Sequence, residues 1–317
     1  MAPTSSQPRI VSLLPATTEI ACALGLGGQL VGRSHECDFP PEVLSLPPLT
    51  APRIDASGSS RAIHESVGRN RQADGGPQPL FSLDAARLEA LAPELILTQA
   101  ACDVCAVSAD EVRMAAARLT RPPRVIAVNP STLEGVIDDL ILVGRETGTL
   151  AKAREVVARL RARVASIACR IRTFPERPRV AVIEWLDPPM AAGNWVPEMV
   201  KLAGGIDVLG RAGEHSHWIS WEDVAAADPD VVVLVPCGFT LDRVIAEASS
   251  PAVRERLATL RAASVGRVVA VDGHHLFNRP GPRLVDSLEA LAEILHPGRF
   301  RFPAAAAFVS PVPVANR

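Results

Sequence analysis

The chain has 317 residues, of which 48% are hydrophobic and 21% charged, and its net charge is −2. That composition suits an ordinary apolar core in one large domain or two lobes, and excludes a disordered chain. The lack of a basic excess excludes an electrostatic footprint for nucleic acid or an anionic membrane, and no apolar run approaches the ~18 residues of a membrane span.

In chain order, Arg9 to Leu14 reads as a strand, and Thr17-Thr18-Glu19 has the hydroxyls and acid of a helix start. Gly25 and Gly27-Gly28 stop that helix, and Leu30 to Arg33 is a second short strand. Arg61 to Val67 predicts a helix, and Asp84 is placed to cap another through Leu91. Glu94 to Thr98 is a strand, Asp110 to Leu119 a helix, Arg124 to Val128 a strand, and Ser131-Thr132 caps the next helix. Val156, Val157, Leu160, Val164 and Ile167 recur at helical spacing, which predicts one long helix over Thr149 to Arg172.

The second half repeats the scheme. Arg179 to Trp185, Asp230 to Val235 and Arg267 to Val271 are strands; Pro197 to Leu202, Trp221 to Ala227, Leu241 to Ala248, Pro251 to Leu260 and Arg283 to Leu295 are helices. The tail from Phe300 is rich in Ala and Pro and reads as frayed. Leu88-Glu-Ala-Leu-Ala-Pro-Glu-Leu-Ile-Leu97 and Val224-Ala-Ala-Ala-Asp-Pro-Asp-Val-Val-Val233 share a short helix, a Pro-acid turn and a buried strand. The expectation is therefore α/β, with two similar lobes at 9–148 and 178–299 around a long connecting helix at 149–177, and a frayed tail at 300–317. In open α/β sheets ligands bind outside the carboxyl ends of strands. Cys102, Cys105 and Cys237 all follow candidate strands, and Cys37 sits in Ser34-His35-Glu36-Cys37-Asp38.

Several segments together resemble the class III periplasmic binding proteins, most closely their cobalamin-binding branch. They are Ser12-Leu-Leu-Pro-Ala-Thr-Thr-Glu19, Asp38-Phe-Pro-Pro41, Ala92-Pro-Glu-Leu-Ile96, Asp187-Pro-Pro189, Ala203-Gly-Gly205, Ser220-Trp-Glu222, Asp228-Pro-Asp-Val231 and Phe277-Asn-Arg-Pro-Gly-Pro-Arg283. The resemblance covers roughly residues 9 to 298. It implies two Rossmann-like lobes joined by a rigid helix with a ligand cleft between them, a corrinoid of the cobalamin type as ligand, no catalytic activity, and service to an ABC importer of the cobalamin or ferric siderophore type. By position it implies that Trp185, Asn194, Trp195, His217, Trp218, His274 and His275 face the ligand, as do the segments around the cysteines. Flat aromatic faces suit a broad, mostly apolar corrin, and a few polar groups orient it. Glu222 matches the acid that docks on the permease from the second lobe; the matching first-lobe position is Ala86, which puts the permease partner in doubt.

The thiols keep three readings open. Cys37, Cys102, Cys105 and Cys237 are small buried hydrophobes, ligands of a soft metal, or, for Cys102 and Cys105, a redox pair. Either imidazole of His274-His275 suits an axial bond to cobalt or a place beside those thiols. The absence of tyrosine argues against direct ferric ligation and for a preformed organic complex. The sequence as written has no basic-then-apolar leader, so a cytoplasmic protein is expected, or a periplasmic one if the true start lies upstream. The competing expectation is a cytosolic metal-binding or thiol-redox protein built on the four cysteines. No dinucleotide fingerprint, Walker loop, nucleophile elbow or His-Glu-x-x-His motif supports other enzyme classes.

Overall fold

Separate sheets carry the two halves of the chain. The computed structural model describes residues 8–71, 79–100 and 106–314. Among them two compact units are distinguished. The first takes the residues up to 57 with 65–130 and 135–158; the second takes 58–64, 131–134 and 159 onward.

In the first unit, β1 (Ile10–Ser12) leads into α1 (Pro15–Ala23), then β2 (Leu30–Arg33) and β3 (Thr50–Pro52). There follow α2 (Ser60–Arg71), whose first residues belong to the second unit, β4 (Phe81–Leu83), α3 (Ala85–Leu91), β5 (Leu95–Gln99), α4 (Ala109–Ala117), β6 (Arg124–Val128), α5 (Leu133–Glu146), whose first two residues also belong to the second unit, and α6 (Leu150–Ile171). The sheet has the order β2-β1-β5-β6 and is parallel throughout. Every residue of β1 and β5 is buried, as a parallel sheet covered on both faces requires. Val11, Leu13, Leu88, Ile96 and Val112 form its core, while β3 and β4 make a small antiparallel pair.

Two helix starts differ from the sequence reading by a residue or two. Pro15 occupies the first turn of α1, where its missing N–H costs nothing, so the helix begins before Thr17. The hydroxyls of Thr17 and Thr18 turn back to the Leu14 carbonyl instead. For α4 the cap is Ser108, which accepts from the Glu111 N–H. Asp84 caps α3 as expected, accepting from the Arg87 N–H at 2.9 Å. The long helix falls at α6, whose residues are shared between the two units.

The second unit runs β7 (Arg179–Leu186), β8 (Pro189–Ala191), α7 (Val196–Leu202), β9 (Ile206–Asp207), β10 (His217–Trp218), α8 (Trp221–Ala226) and β11 (Val231–Leu234). It continues through α9 (Leu241–Ala248), α10 (Pro251–Leu257), α11 (Arg261–Ser264), β12 (Val268–Val271), α12 (Leu284–Leu295), α13 (Pro303–Ala306) and β13 (Val309–Pro311). Its sheet has the order β10-β8-β7-β11-β12-β13, with β9 beside β7. The centre, β7-β11-β12, is parallel; β8, β10 and β13 are antiparallel additions.

The tail expected to fray instead supplies β13. Val309 to Pro311 pair with Val269 to Val271, which covers an otherwise open sheet edge. The internal correspondence survives in the backbone: α3 and α8 each lead through a turn residue of positive φ, Ala92 at 41° and Asp228 at 40°, into a fully buried strand.

Candidate functional site

The three parallel strands of the second unit end side by side, since Ile183 pairs with Leu234 and Leu234 with Ala270. The loops beyond them are stitched together through the backbone. Cys237 N–H donates to the Glu184 carbonyl at 3.1 Å, Gly238 N–H to the Gly273 carbonyl at 3.3 Å, and His274 N–H to the Phe239 carbonyl at 3.0 Å. Gly273 is needed for this approach, because a Cβ there would stand 2.1 Å from the Pro236 carbonyl oxygen. The result is a rigid platform of residues 184–187, 236–239 and 272–275.

The edge of the platform is set by a β-bulge. The register between β7 and β8 shifts between Ile183 and Trp185, leaving Glu184 as the extra residue. A bulge bends its strand and re-aims the side chains after it. Ile183, Ala191 and His217 stand opposite one another across β7, β8 and β10, and Ile183 and Ala191 are fully buried. Directly opposed residues share a face of the sheet. Past the bulge the row Trp185, Met190, Trp218 therefore falls on the other face. Neighbouring strands lie roughly 4.8 Å apart, so this indole–thioether–indole row spans roughly 10 Å.

Both ends of the row are held by the segment around Ser60. The Trp185 indole N–H donates to the Ser60 carbonyl at 3.2 Å, and its ring meets Phe239 edge-on at 5.4 Å. Ser60 is fixed in turn by the Glu247 carboxylate. Arg61 grips Asp187 with two hydrogen bonds of 2.8 and 2.6 Å. At the far end the His64 ring sits edge-on to Trp218 at 4.8 Å. Trp218 remains 52% exposed.

The extra residue of the bulge, Glu184, is a half-buried polar group. Glu184 accepts from the Ser216 hydroxyl at 2.8 Å; burial pushes its carboxyl up, against the hydrogen bonds from Ser216 and the Gly193 backbone. Burial also raises Asp207, opposed by the backbone N–H groups of Gly210 and Leu209 and by His217. Asp207 Oδ2 and His217 Nδ1 are buried with no hydrogen-bond partner. His217 thus turns an edge into the unit, while its neighbour Trp218 faces out, in keeping with strand alternation.

The other expected residues are placed as follows. Trp195 is only 7% exposed, and its indole N–H donates to the Phe277 carbonyl at 2.7 Å, so it holds the unit together and offers no open face. Asn194 lies at φ 51° and exchanges backbone hydrogen bonds with Glu214 and Gly213, which makes it a turn residue at the start of α7. Cys237 is half-buried on the platform. Cys37 belongs to the first unit, is fully buried, and accepts from the Thr18 hydroxyl at 3.0 Å. Cys102 and Cys105 lie outside the described residues. Glu222 is exposed in the first turn of α8, behind a Ser220–Asp223 capping box, and pairs with Arg256 at 2.7 Å.

His274 and His275 stand at the end of β12 on Asp272, whose Oδ1 accepts from both backbone N–H groups. Sequence reasoning missed Met190, His64, Asp272 and Phe239. Met190 and His64 carry no local signal, but an acid directly after a buried strand, two residues before a His pair, was a readable cue.

Comparison with known proteins adds the following. The family described as periplasmic binding protein matches residues 10–272. A cobalamin-binding protein of Halobacterium salinarum is 33% identical over 172 residues, covering 52% of this chain and 45% of that protein, so the match spans less than half the length of this relative. The vitamin B12-binding protein of Vibrio cholerae is 24% identical over 304 residues, covering 90% of this chain and 88% of that protein. A periplasmic heme-binding protein from Pseudomonas aeruginosa matches with a TM-score of 0.71 at 22% identity, covering 96% of this chain and 98% of that one, a likeness of fold alone. The cytoplasmic reading of the sequence finds no support in these relatives. Among the described residues no helix is long and apolar enough to cross a membrane.

Proposed function

We propose, for a chain that belongs to the periplasmic binding protein family, that it is a non-catalytic receptor for a corrinoid of the cobalamin type. The observation that carries this reading is the Trp185–Met190–Trp218 row on one face of the second unit's sheet. Two indoles with a polarizable thioether between them form a flat apolar strip suited to the face or edge of a tetrapyrrole. The rim supplies polar groups for amide arms: the Arg61–Asp187 pair, His64 and the Asp272–His275 turn. The cobalamin-binding and vitamin B12-binding names of two relatives support the ligand class. The heme-binding fold neighbour belongs with a related tetrapyrrole.

Delivery of the ligand to an ABC importer, and a periplasmic location, are part of the same proposal. Glu222 is the candidate docking acid, at an exposed helix start and joined to Arg256. Ala86 stands at the corresponding place in α3 and offers no charge. No described residue favours the redox reading.

The test is equilibrium dialysis of the purified protein against cyanocobalamin, followed by the corrin absorbance. One saturable site per chain is expected, with quenching of tryptophan fluorescence. Failure to retain cyanocobalamin at any concentration below millimolar, in protein of native circular dichroism, overturns the corrinoid assignment.

A further inference from the structure

The bulge brings a carboxyl group to the apolar row. The backbone of Glu184 is anchored, since its carbonyl accepts from the Cys237 N–H at 3.1 Å. Its side chain reaches Ser216, whose hydroxyl donates to Oε2 at 2.8 Å. Ser216 Oγ in turn accepts from the Gly193 N–H at 3.2 Å, so the hydroxyl proton is directed at the carboxyl group. Gly193 is required for this approach, because a Cβ there would stand 2.4 Å from the Glu214 carbonyl oxygen and 2.5 Å from the Ser216 nitrogen. The 214–216 loop is therefore locked on Gly193, and the carboxyl group on Ser216.

Strand alternation gives the side of the sheet on which this pair stands. Carried one residue back from β10, it puts Ser216 on the face of Trp218, and Trp218 shares its face with Met190 and Trp185. A carboxyl group thus borders the indole–thioether–indole strip. Burial disfavours a bare charge on it, and a donor from a ligand would relieve that cost. Ser216 and Gly193 are the donors the protein itself supplies, whereas a carboxylate has about four acceptor sites. Glu184 is half-buried, so part of it stays within reach of a molecule lying on the strip. A primary amide offers N–H donors and a carbonyl acceptor, and it pairs with a carboxyl group in either protonation state. A carboxylate arm offers acceptors only, and pairs only if a proton is taken up between the two groups.

We propose that Glu184 is a specificity-determining contact of the strip: it accepts a hydrogen bond from a primary amide on the ligand's edge and rejects ligands that carry a carboxylate there. The proposal rests on the tetrapyrrole reading above and narrows its class to an amidated corrin, as against a porphyrin with free propionates. Apolar faces alone hold both macrocycles. Cobalamin carries amides at the rim of its corrin and heme carries carboxylates, so an acceptor at the edge of the strip separates them. Discrimination of this kind works by leaving a polar group of the wrong ligand unpaired. It is far stronger than what a hydrophobic pocket achieves by shape.

The intact protein is dialysed against cyanocobalamin, against each of the monocarboxylic acids made from it by mild acid hydrolysis of its peripheral propionamides, and against hemin. At least one of the acids should bind about 10-fold or more weakly than cyanocobalamin, and that isomer marks the arm beside Glu184. Glu184→Gln keeps an acceptor for Ser216 and pairs with either arm, so it should bring the same isomer within about 3-fold of cyanocobalamin. A merely structural role would weaken all of these ligands together and leave the ratio unmoved. Equal affinity for cyanocobalamin and every isomer, or a ratio that persists in Glu184→Gln, overturns the contact while the corrinoid reading stands. The comparison of isomers needs no variant, so it decides even where the substitution disturbs folding. Hemin bound as tightly as cyanocobalamin also overturns the selectivity. Failure to bind cyanocobalamin, with or without binding of hemin, overturns the corrinoid reading and this contact together.

Discussion

Trp218→Ala separates ligand contact from fold maintenance. The indole is already 52% exposed, so its removal takes little from the folded core. An aromatic side chain carries roughly 200 Å² of surface, of which roughly 100 Å² is then open to a ligand. At about 25 cal/mol per Å² full coverage is worth roughly 2.5 kcal/mol, and coverage of one ring face about half that. Cyanocobalamin affinity should therefore fall by about 10- to 70-fold, the range of an aromatic anchor at an interface. Equilibrium dialysis gives the dissociation constant without relying on tryptophan fluorescence, which the substitution itself alters. The urea midpoint should stay close to that of the unaltered protein. A folded Trp218→Ala protein with unchanged affinity refutes the assignment of the Trp185–Met190–Trp218 row as the ligand strip.

Trp195→Phe should do the opposite. It leaves the Phe277 carbonyl without its buried donor, costing about 1–3 kcal/mol in urea unfolding, with little change in affinity for cyanocobalamin; a large loss of affinity at full stability would place Trp195 in the site after all. In α5, burial and then the neighbouring Asp138 push the Asp139 carboxyl from 3.8 up to about 7, so the native state holds this proton more tightly than the unfolded chain does. Stability from this group is full below the lower value and is lost as pH rises toward the upper one, and Asp139→Asn should flatten that fall in urea midpoints; identical pH profiles for the two proteins would show that Asp139 does not titrate there.

The central strands were legible because their physics is local. Val231 to Leu234 and Leu95 to Leu97 are short buried apolar runs between turn residues, the pattern of strands covered on both faces. Asp84 before Ala85 and Ser220 before Trp221 were readable caps for the same reason. The short strands β8 and β10, of three and two residues, have no periodicity to read; their partners impose them. The bulge at Glu184 was equally hidden, and it decides which way Trp185 points. Without it Trp185 would share the buried face of Ile183. The exposed Trp218 and the buried Trp195 each follow a polar residue, His217 and Asn194, which leaves their exposure unread in the letters. Their difference is made by Phe277, 82 positions from Trp195. The partners of His274 and His275 likewise come from the fold, Arg279 at one ring and Asp272 at the other.

The last strand has a consequence for how the protein comes into being. The Phe308 carbonyl accepts the Asp272 N–H at 2.9 Å, and its ring packs on His275, while the Ser60 carbonyl, near the other end of the sequence, holds Trp185. During vectorial synthesis β7, β11 and β12 all emerge before Phe308 does. A nascent or proteolytically clipped chain lacking residues 308–311 can thus own its whole parallel sheet and still lack the wall that steadies the imidazole.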